Sequence, residues 1–297
     1  MLKPMRSCAP SGKYPIRFPK LISRKLDGIR CAIDEGKAIT KSGKSIPNKS
    51  IREWLEANVP DGLDGELLVG NPADEGVYGR TFSAVMSHAG EPEFSFHVFD
   101  LANEPGLDAT ERLSALAVMV NNLHLKQVVL VDQYLCHSQA DVDRSYAQFI
   151  EEGYEGAILK DPAGPYIEGR STPKNQIQLK LKPESDWEAR IISVYEAETN
   201  NNEAYTNEVG ETKRSTHAEN KVGNGMCGGF IATDLTTGLQ IRVAAGRLTH
   251  AERTEIWNNQ ASYVGKLAKY RSMSYGTMTN GQPRHGRWIG WRAEEDM

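Results

Sequence analysis

The chain has 297 residues, 39% of them hydrophobic and 25% charged, with a formal net charge of −4 at pH 7, an ordinary composition for a globular protein of two modest domains. No run approaches eighteen apolar residues, which excludes a membrane-spanning helix, and the polar, proline-dotted stretch from Met1 to Lys20 lacks the apolar core of a secretory signal. Cys8, Cys31, Cys136 and Cys227 are scattered without a Cys-x-x-Cys pair, which points to reduced thiols in a cytosol and away from a zinc site.

Taken in order, the first informative stretch is Lys25-Leu26-Asp27-Gly28-Ile29-Arg30. Apolar runs flank it, and Asp-Gly between apolar runs predicts a β-hairpin. Lys25 and Arg30 are then either solvated charges or, for Lys25, a nucleophile mounted beside a rigid turn. With so short a stretch ahead of Lys25, no N-terminal accessory domain is expected. Ile39 to Asn48 is a turn-rich connection, and Ser50-Ile51-Arg52-Glu53 is a capping-box pattern opening a short helix. Leu63 to Val69 reads as a strand in which Glu66 is either an exposed alternate residue or a buried acceptor. Phe94 to Leu101 is a strand with alternating aromatics, and His97 in it has no second histidine or cysteine at metal spacing.

Asp108 to Leu125 predicts an amphipathic helix with Leu113, Leu116, Ala117, Val120 and Leu123 on one face. Gln127 to Leu135 predicts a strand. Ser138 caps a second helix, with Val142, Phe149 and Ile150 inward and Gly153 at its end. Glu155 to Lys160 is a strand opening on a carboxylate. In Leu179-Lys180-Leu181-Lys182, alternation puts both lysines on one face. Lys182-Pro183 marks a boundary. Beyond it, short strands over Ala189–Glu196, Gly229–Thr233, Leu239–Ala244 and Lys266–Ser272, with a helix from about Thr249 to Asn259, suggest a small barrel of the oligonucleotide-binding type. The polar insertion Thr199–Cys227 has no core of its own and is expected to be mobile until a partner orders it. From Leu239 to Arg292 nine Lys/Arg face only Glu252 and Glu255, which suits either a solvated face or a phosphate-backbone partner.

Lys-x-Asp-Gly-x-Arg resembles the nucleophile motif of the covalent nucleotidyltransferases: ATP-dependent DNA ligases, RNA ligases and capping enzymes. The other stretches follow in that family's order. Asp64-Gly65-Glu66-Leu67 resembles its ribose-binding strand, Phe99 its purine-stacking aromatic, Glu155 its metal-binding acid, and Lys180 with Lys182 its α-phosphate-facing pair. The ending, Arg284 through Trp288-Ile289-Gly290 and Arg292 to Asp296, resembles the final motif of small viral ATP-dependent DNA ligases. Four positions depart from the family: Lys41 stands for an arginine, His285-Gly286 for Phe-Pro, and Met297 for a closing basic residue.

The resemblance implies an α+β fold: a nucleotidyltransferase (adenylation) domain with antiparallel sheets and flanking helices over 1–184, then an OB-fold barrel over 185–297 with the insertion at about 199–227. It implies a DNA ligase acting in replication, repair or recombination. Lys25 would attack ATP, AMP would pass to the 5′-phosphate of a nick, and the 3′-hydroxyl would displace it. A free lysine is protonated at neutral pH and is a poor nucleophile; Lys180, Lys182, Arg30 and a bound metal would favour its neutral form. The implied nucleotide site comprises Ser23, Arg24, Lys25, Arg30, Lys41, Glu66, Phe99, Glu155, Lys180 and Lys182, with Arg284 and Arg292 reaching the pyrophosphate. Magnesium, or manganese in its place, would be held by Glu155 and Asp27. The expected partners are ATP and nicked double-stranded DNA, and the expected state is a monomer in the cytoplasm (the host's, if viral), off any membrane. An RNA ligase or capping-type enzyme, or a nick-binding module without chemistry, are the alternatives.

Overall fold

The computed structural model describes residues 2–206, 212–215, 217–273 and 286–292. The chain divides into two compact units at Lys182–Pro183. None of the described helices is long and apolar enough to cross a membrane.

The first unit carries two sheets. In chain order its strands are β1 (Lys20–Lys25), β2 (Ile29–Asp34), β3 (Lys37–Ile39), β4 (Leu63–Leu68), β5 (Ser95–Leu101), β6 (Val128–Leu130), β7 (Gln133–Cys136), β8 (Gly156–Lys160) and β9 (Gln178–Leu181). Its helices are α1 (Lys49–Asn58), α2 (Val77–Met86), α3 (Ala109–Leu123) and α4 (Gln139–Glu151). One sheet has the order β3-β2-β4-β5-β6, the other β7-β1-β8-β9. All ladders are antiparallel except β5 with β6.

This topology overturns two local expectations. β1 pairs with β7 and β8, whereas β2 pairs with β3 and β4. Leu26-Asp27-Gly28 is therefore a crossing between sheets and not a hairpin. Gly28 is required there because a Cβ would lie 2.2 Å from the Leu67 carbonyl oxygen. Gln127–Leu135 likewise splits into β6 and β7, one in each sheet. Leu26 and Val131, one from each crossing, are buried together with Leu68 and Val77, and Phe99 and Tyr154 pack on them. Burying those apolar side chains holds the seam shut.

The helices cover the outer faces. α1 is capped by Asn48, whose side chain accepts from Ile51 N, so the capping box expected at Ser50 is replaced by a single cap one turn-start earlier. Asn48 is buried, and its amide also donates to the carbonyls of Ala84, Ala89 and Gly90. α3 begins with a capping box of Asp108 and Glu111. Its buried face turns on Ala109, Arg112 and Leu116, so a charged residue sits on the side read as apolar. α4 is capped by Ser138 and buries Val142 and Phe149.

The second unit is a five-stranded barrel. Its strands β10 (Glu184–Asn200), β13 (Lys221–Asp234), β14 (Gln240–Ala244), β16 (Arg287–Arg292) and β15 (Leu267–Met273) close in that order. The fold is thus α+β with an OB-type barrel, as expected. Ile191, Phe230, Ala232, Val243, Ala268 and Tyr270 fill the barrel, and α5 (His250–Asn258), with a Thr249–Glu252 capping box, packs Ile256 on it. β10 and β13 overrun the barrel and stay paired at Glu198↔Gly223, Thr199↔Val222 and Asn200↔Lys221. Beyond them β11 (Ala204–Thr206) and β12 (Thr212–Arg214) form a second hairpin. The described residues of the insertion are therefore a paired ribbon rather than a featureless loop. Asn202, 5% exposed, pins it by donating to the carbonyls of Ser215 and His217.

Candidate active site

A pocket of about 100 Å³ opens at the seam of the first unit. β1 and the crossing contribute Ser23, Arg24, Lys25 and Leu26; β2, β4 and β5 contribute Arg30, Glu66 and Phe99. β8 and β9 add Ile158, Lys160 and Gln178, and Ser7 joins from the N-terminal segment. That segment is held along β9: Cys8 N donates to Gln178 O and Lys180 N to Cys8 O. Six of the expected residues thus meet in one cavity.

Lys25 ends β1, and its ammonium donates to Glu155. Lys182 donates to the other oxygen of the same carboxylate. Glu155 precedes β8, whose register places Gly156 opposite Lys25. Gly156 is obligatory, with φ +147° and a Cβ position 2.1 Å from Leu181 O. Burial pushes the Glu155 carboxyl up, but Lys25 and Lys182 more than offset it and hold it below its usual range. Lys182 is pulled down by burial and by Lys25. Lys180 is pulled down by burial, then by Lys182 and Lys25.

Glu66 is half-buried and has no hydrogen-bond partner among the described residues. Burial pushes its carboxyl up to about 7; Lys25 and Arg30 pull it down, and Glu155 and Asp27 push it up again. A carboxyl left at a pocket wall without a protein donor is available to a ligand hydroxyl.

Arg30 lies in a different setting from the one expected. Its guanidinium makes a two-pronged pair with Asp64, which also accepts from Tyr166 Oη at 2.7 Å. It donates to Met5 O at 3.0 Å and lies 4.6 Å from the Phe99 ring centroid. Arg30 therefore shapes the pocket wall against Phe99. Arg24, although its residue lines the pocket, pairs its Nε with Glu152 Oε2 at 2.8 Å and sits over the rings of Phe149 and Tyr154.

Lys41 and Asp27 are not among the residues that line the pocket. Lys41 is exposed in its turn and does not line the pocket. Asp27 is in the crossing, close enough for its charge to act on Glu66 and Lys182. Arg292 belongs to the second unit and pairs with Glu188 at 2.7 Å. Arg284, Asp296 and Met297 lie outside the described residues. Sequence reading missed Ser7, Lys160 and Gln178 in the wall, and Asp64, Asp100, Arg112 and Gln133 behind it. Only Asp64 carried a signal, as the acid preceding Gly65-Glu66.

Comparison with known proteins places the chain in a family. A family described as the ATP dependent DNA ligase domain matches residues 17–182. The DNA ligase of an African swine fever virus isolate is 27% identical over 186 residues, covering 58% of this chain and 43% of that protein. The DNA ligase of Enterobacteria phage T6 is 23% identical over 310 residues, covering 85% of this chain and 59% of that one. The chain thus spans less than two thirds of the length of these relatives. Among solved structures, the Chlorella virus DNA ligase-adenylate has a TM-score of 0.56 at 24% identity, covering 98% of this chain and 99% of that one. A Lig E DNA ligase structure has a TM-score of 0.74 at 22% identity, covering 98% and 100%. Those two likenesses speak for the fold. The family match spans more than half of the 297 residues and contains Lys25, Glu66, Phe99, Glu155 and Lys182; the chain belongs to the ATP-dependent DNA ligase domain family.

Proposed function

We propose that this chain is an ATP-dependent DNA ligase that seals nicks in duplex DNA through a covalent Lys25–AMP intermediate. The observation that carries this reading is the placement of the Lys25 ammonium at the pocket, on a carboxylate it shares with Lys182. Lys25, after its ammonium gives up a proton, attacks the α-phosphorus of ATP: an N–P bond forms, the P–O bond to pyrophosphate breaks, and the second proton lost from nitrogen passes to solvent or to the leaving pyrophosphate. Glu155 orients the lysine, and Lys180 and Lys182 stabilise charge on the α-phosphate oxygens. Glu66 accepts from a ribose hydroxyl, and Phe99, braced by Arg30, packs on the base. Orientation of this kind supplies much of the acceleration in phosphoryl transfer. Arg24 serves the site by tying β1 to the end of α4.

Magnesium would be held by Glu155 and Asp27 once Glu155 gives up one of the two lysines it accepts from; it needs only one or two carboxylates when phosphate oxygens complete its shell, and bound there it would neutralise phosphate charge.

The test is transfer of label from α-labelled ATP to the protein. Wild type should form an acid-labile adduct and Lys25→Ala should form none. An adduct of wild-type yield in the variant overturns the assignment of the nucleophile. Absence of any adduct in wild type would favour a nick-binding module instead. Sealing assays on nicked duplexes with DNA or RNA strands then separate DNA from RNA ligation.

A further inference from the structure

Phe99 lies at an irregularity in its own strand. The register between β4 and β5 runs Asp64↔Asp100 and then Gly65↔Val98, so Phe99 has no ladder partner on β4. A residue bulged out of a ladder must find partners for its backbone elsewhere. The Phe99 carbonyl oxygen is taken by two side chains of the other sheet. Gln133 Nε2, on β7, donates to it at 2.8 Å, and Lys160 Nζ, on β8, at 3.0 Å. Lys160 also donates to Asp100 Oδ2 at 2.8 Å, and Asp100 accepts from Arg112 Nε at 2.7 Å. Lys160, Asp100 and Arg112 are 4%, 2% and 0% exposed. Burial pushes the Asp100 carboxyl up, and Lys160 and Arg112 bring it below its usual range. A buried charge cluster of this kind is costly unless its geometry is held. Here the held object is one carbonyl, at the residue whose ring faces the pocket.

Resting on the reading of this pocket as a nucleoside site, we propose that Gln133 and Lys160 are positioning residues that staple the Phe99 bulge across the seam. The staple fixes the ring against which the base packs and the width of the cleft beside it. Neither residue need touch the nucleotide for this. Removing either leaves the carbonyl one donor, and removing Lys160 leaves Asp100 still paired with Arg112. Folded protein is therefore expected from each single variant.

The experiment compares Gln133→Leu, Lys160→Met and Lys160→Arg, each alone and in a Phe99→Ala background. Two readouts are taken: the Kd of an α,β-methylene ATP analogue, which cannot transfer AMP, and the single-turnover adenylation rate at saturating ATP. Gln133→Leu and Lys160→Met should each raise the Kd about fivefold, the net worth of one hydrogen bond. In Gln133→Leu, whose residue does not line the pocket, the saturated rate should stay within about twofold, because the staple serves ground-state and transition-state binding alike. Lys160→Arg, which keeps a donor, should stay near wild type. In the Phe99→Ala background the same substitutions should no longer change the Kd, since no ring remains to be positioned. Unchanged Kd in both single variants overturns the proposal. So does an equal loss with and without Phe99, which would make the staple a general support of the fold. If wild type binds no ATP analogue, the nucleoside reading fails and takes the staple with it. If wild type binds and the variants match it, the staple alone fails.

Discussion

At the residue scale the site is a set of charges that depend on one another. Glu66 shows this best, because its strand position was ambiguous: the pattern allowed an exposed alternate residue or a buried acceptor. It is half-buried beside Lys25, which no period-2 reading can show, since the neighbour comes from another sheet. Its carboxyl is pushed from 4.5 up to about 7. The folded state then holds a proton that the unfolded chain releases as pH rises through this window. Stability from that proton is full below pH 4.5 and lost above about 7. Denaturant unfolding of the nucleotide-free protein should show wild type losing stability relative to Glu66→Gln between pH 4.5 and 7, with no further change above. A difference between the two that is flat from pH 4 to 8, measured at about one-unit steps, would mean that Glu66 ionises in the fold as it does in water. Arg30 and Arg24 carry a related lesson. Their place beside Lys25 was legible, but their partners, Asp64 and Glu152, lie 34 and 128 residues away. Sequence order could not assign those guanidiniums to structure.

At the element scale local signals located helix starts and were blind to pairing. Ser138 caps the helix expected from it, the helices expected from Asp108 and Thr249 start on those residues, and the capping box expected at Ser50 gave way to Asn48. Asp27-Gly28 does turn the chain, but turn chemistry says nothing about which strands then pair. The polar insertion was misread for a related reason: polarity excludes a core but not a ladder. Its strands continue the barrel's own hydrogen bonds, so the backbone is paired without burying much apolar surface. The described ribbon should exist before any DNA arrives. Hydrogen exchange on the free protein should show slowed amides at 198–200 and 221–223. Exchange at random-coil rates there would restore the expectation of a segment ordered only by its partner. Replacing 201–219 with a short turn should spare self-adenylation, none of whose expected residues lies in that stretch, while weakening nick binding; equal nick affinity would reduce the ribbon to ornament.

For the whole molecule, the count of cations after Leu239 overstated a basic surface. β10 lies beside β15 in the barrel, and its acids answer those cations: Asp186 pairs with Lys269 and Arg271, and Glu188 with Arg292. A linear charge tally cannot see a neighbouring strand. The seam has a consequence in time as well as in space. Lys25 is made early, yet the carboxylate that holds it comes 130 residues later. Its strand finds partners only once β7 and β8 have been synthesised. On the proposed chemistry a nascent chain therefore carries its lysine nucleophile long before it can be charged, and an unfinished chain should not trap nucleotide it can never use. Stalled ribosome complexes offer the check: chains with about 60 residues exposed should take no label from α-labelled ATP, whereas chains with all 297 residues exposed should label. Labelling of the short chains would mean that the lysine and its first sheet suffice, and that this protection during synthesis does not exist.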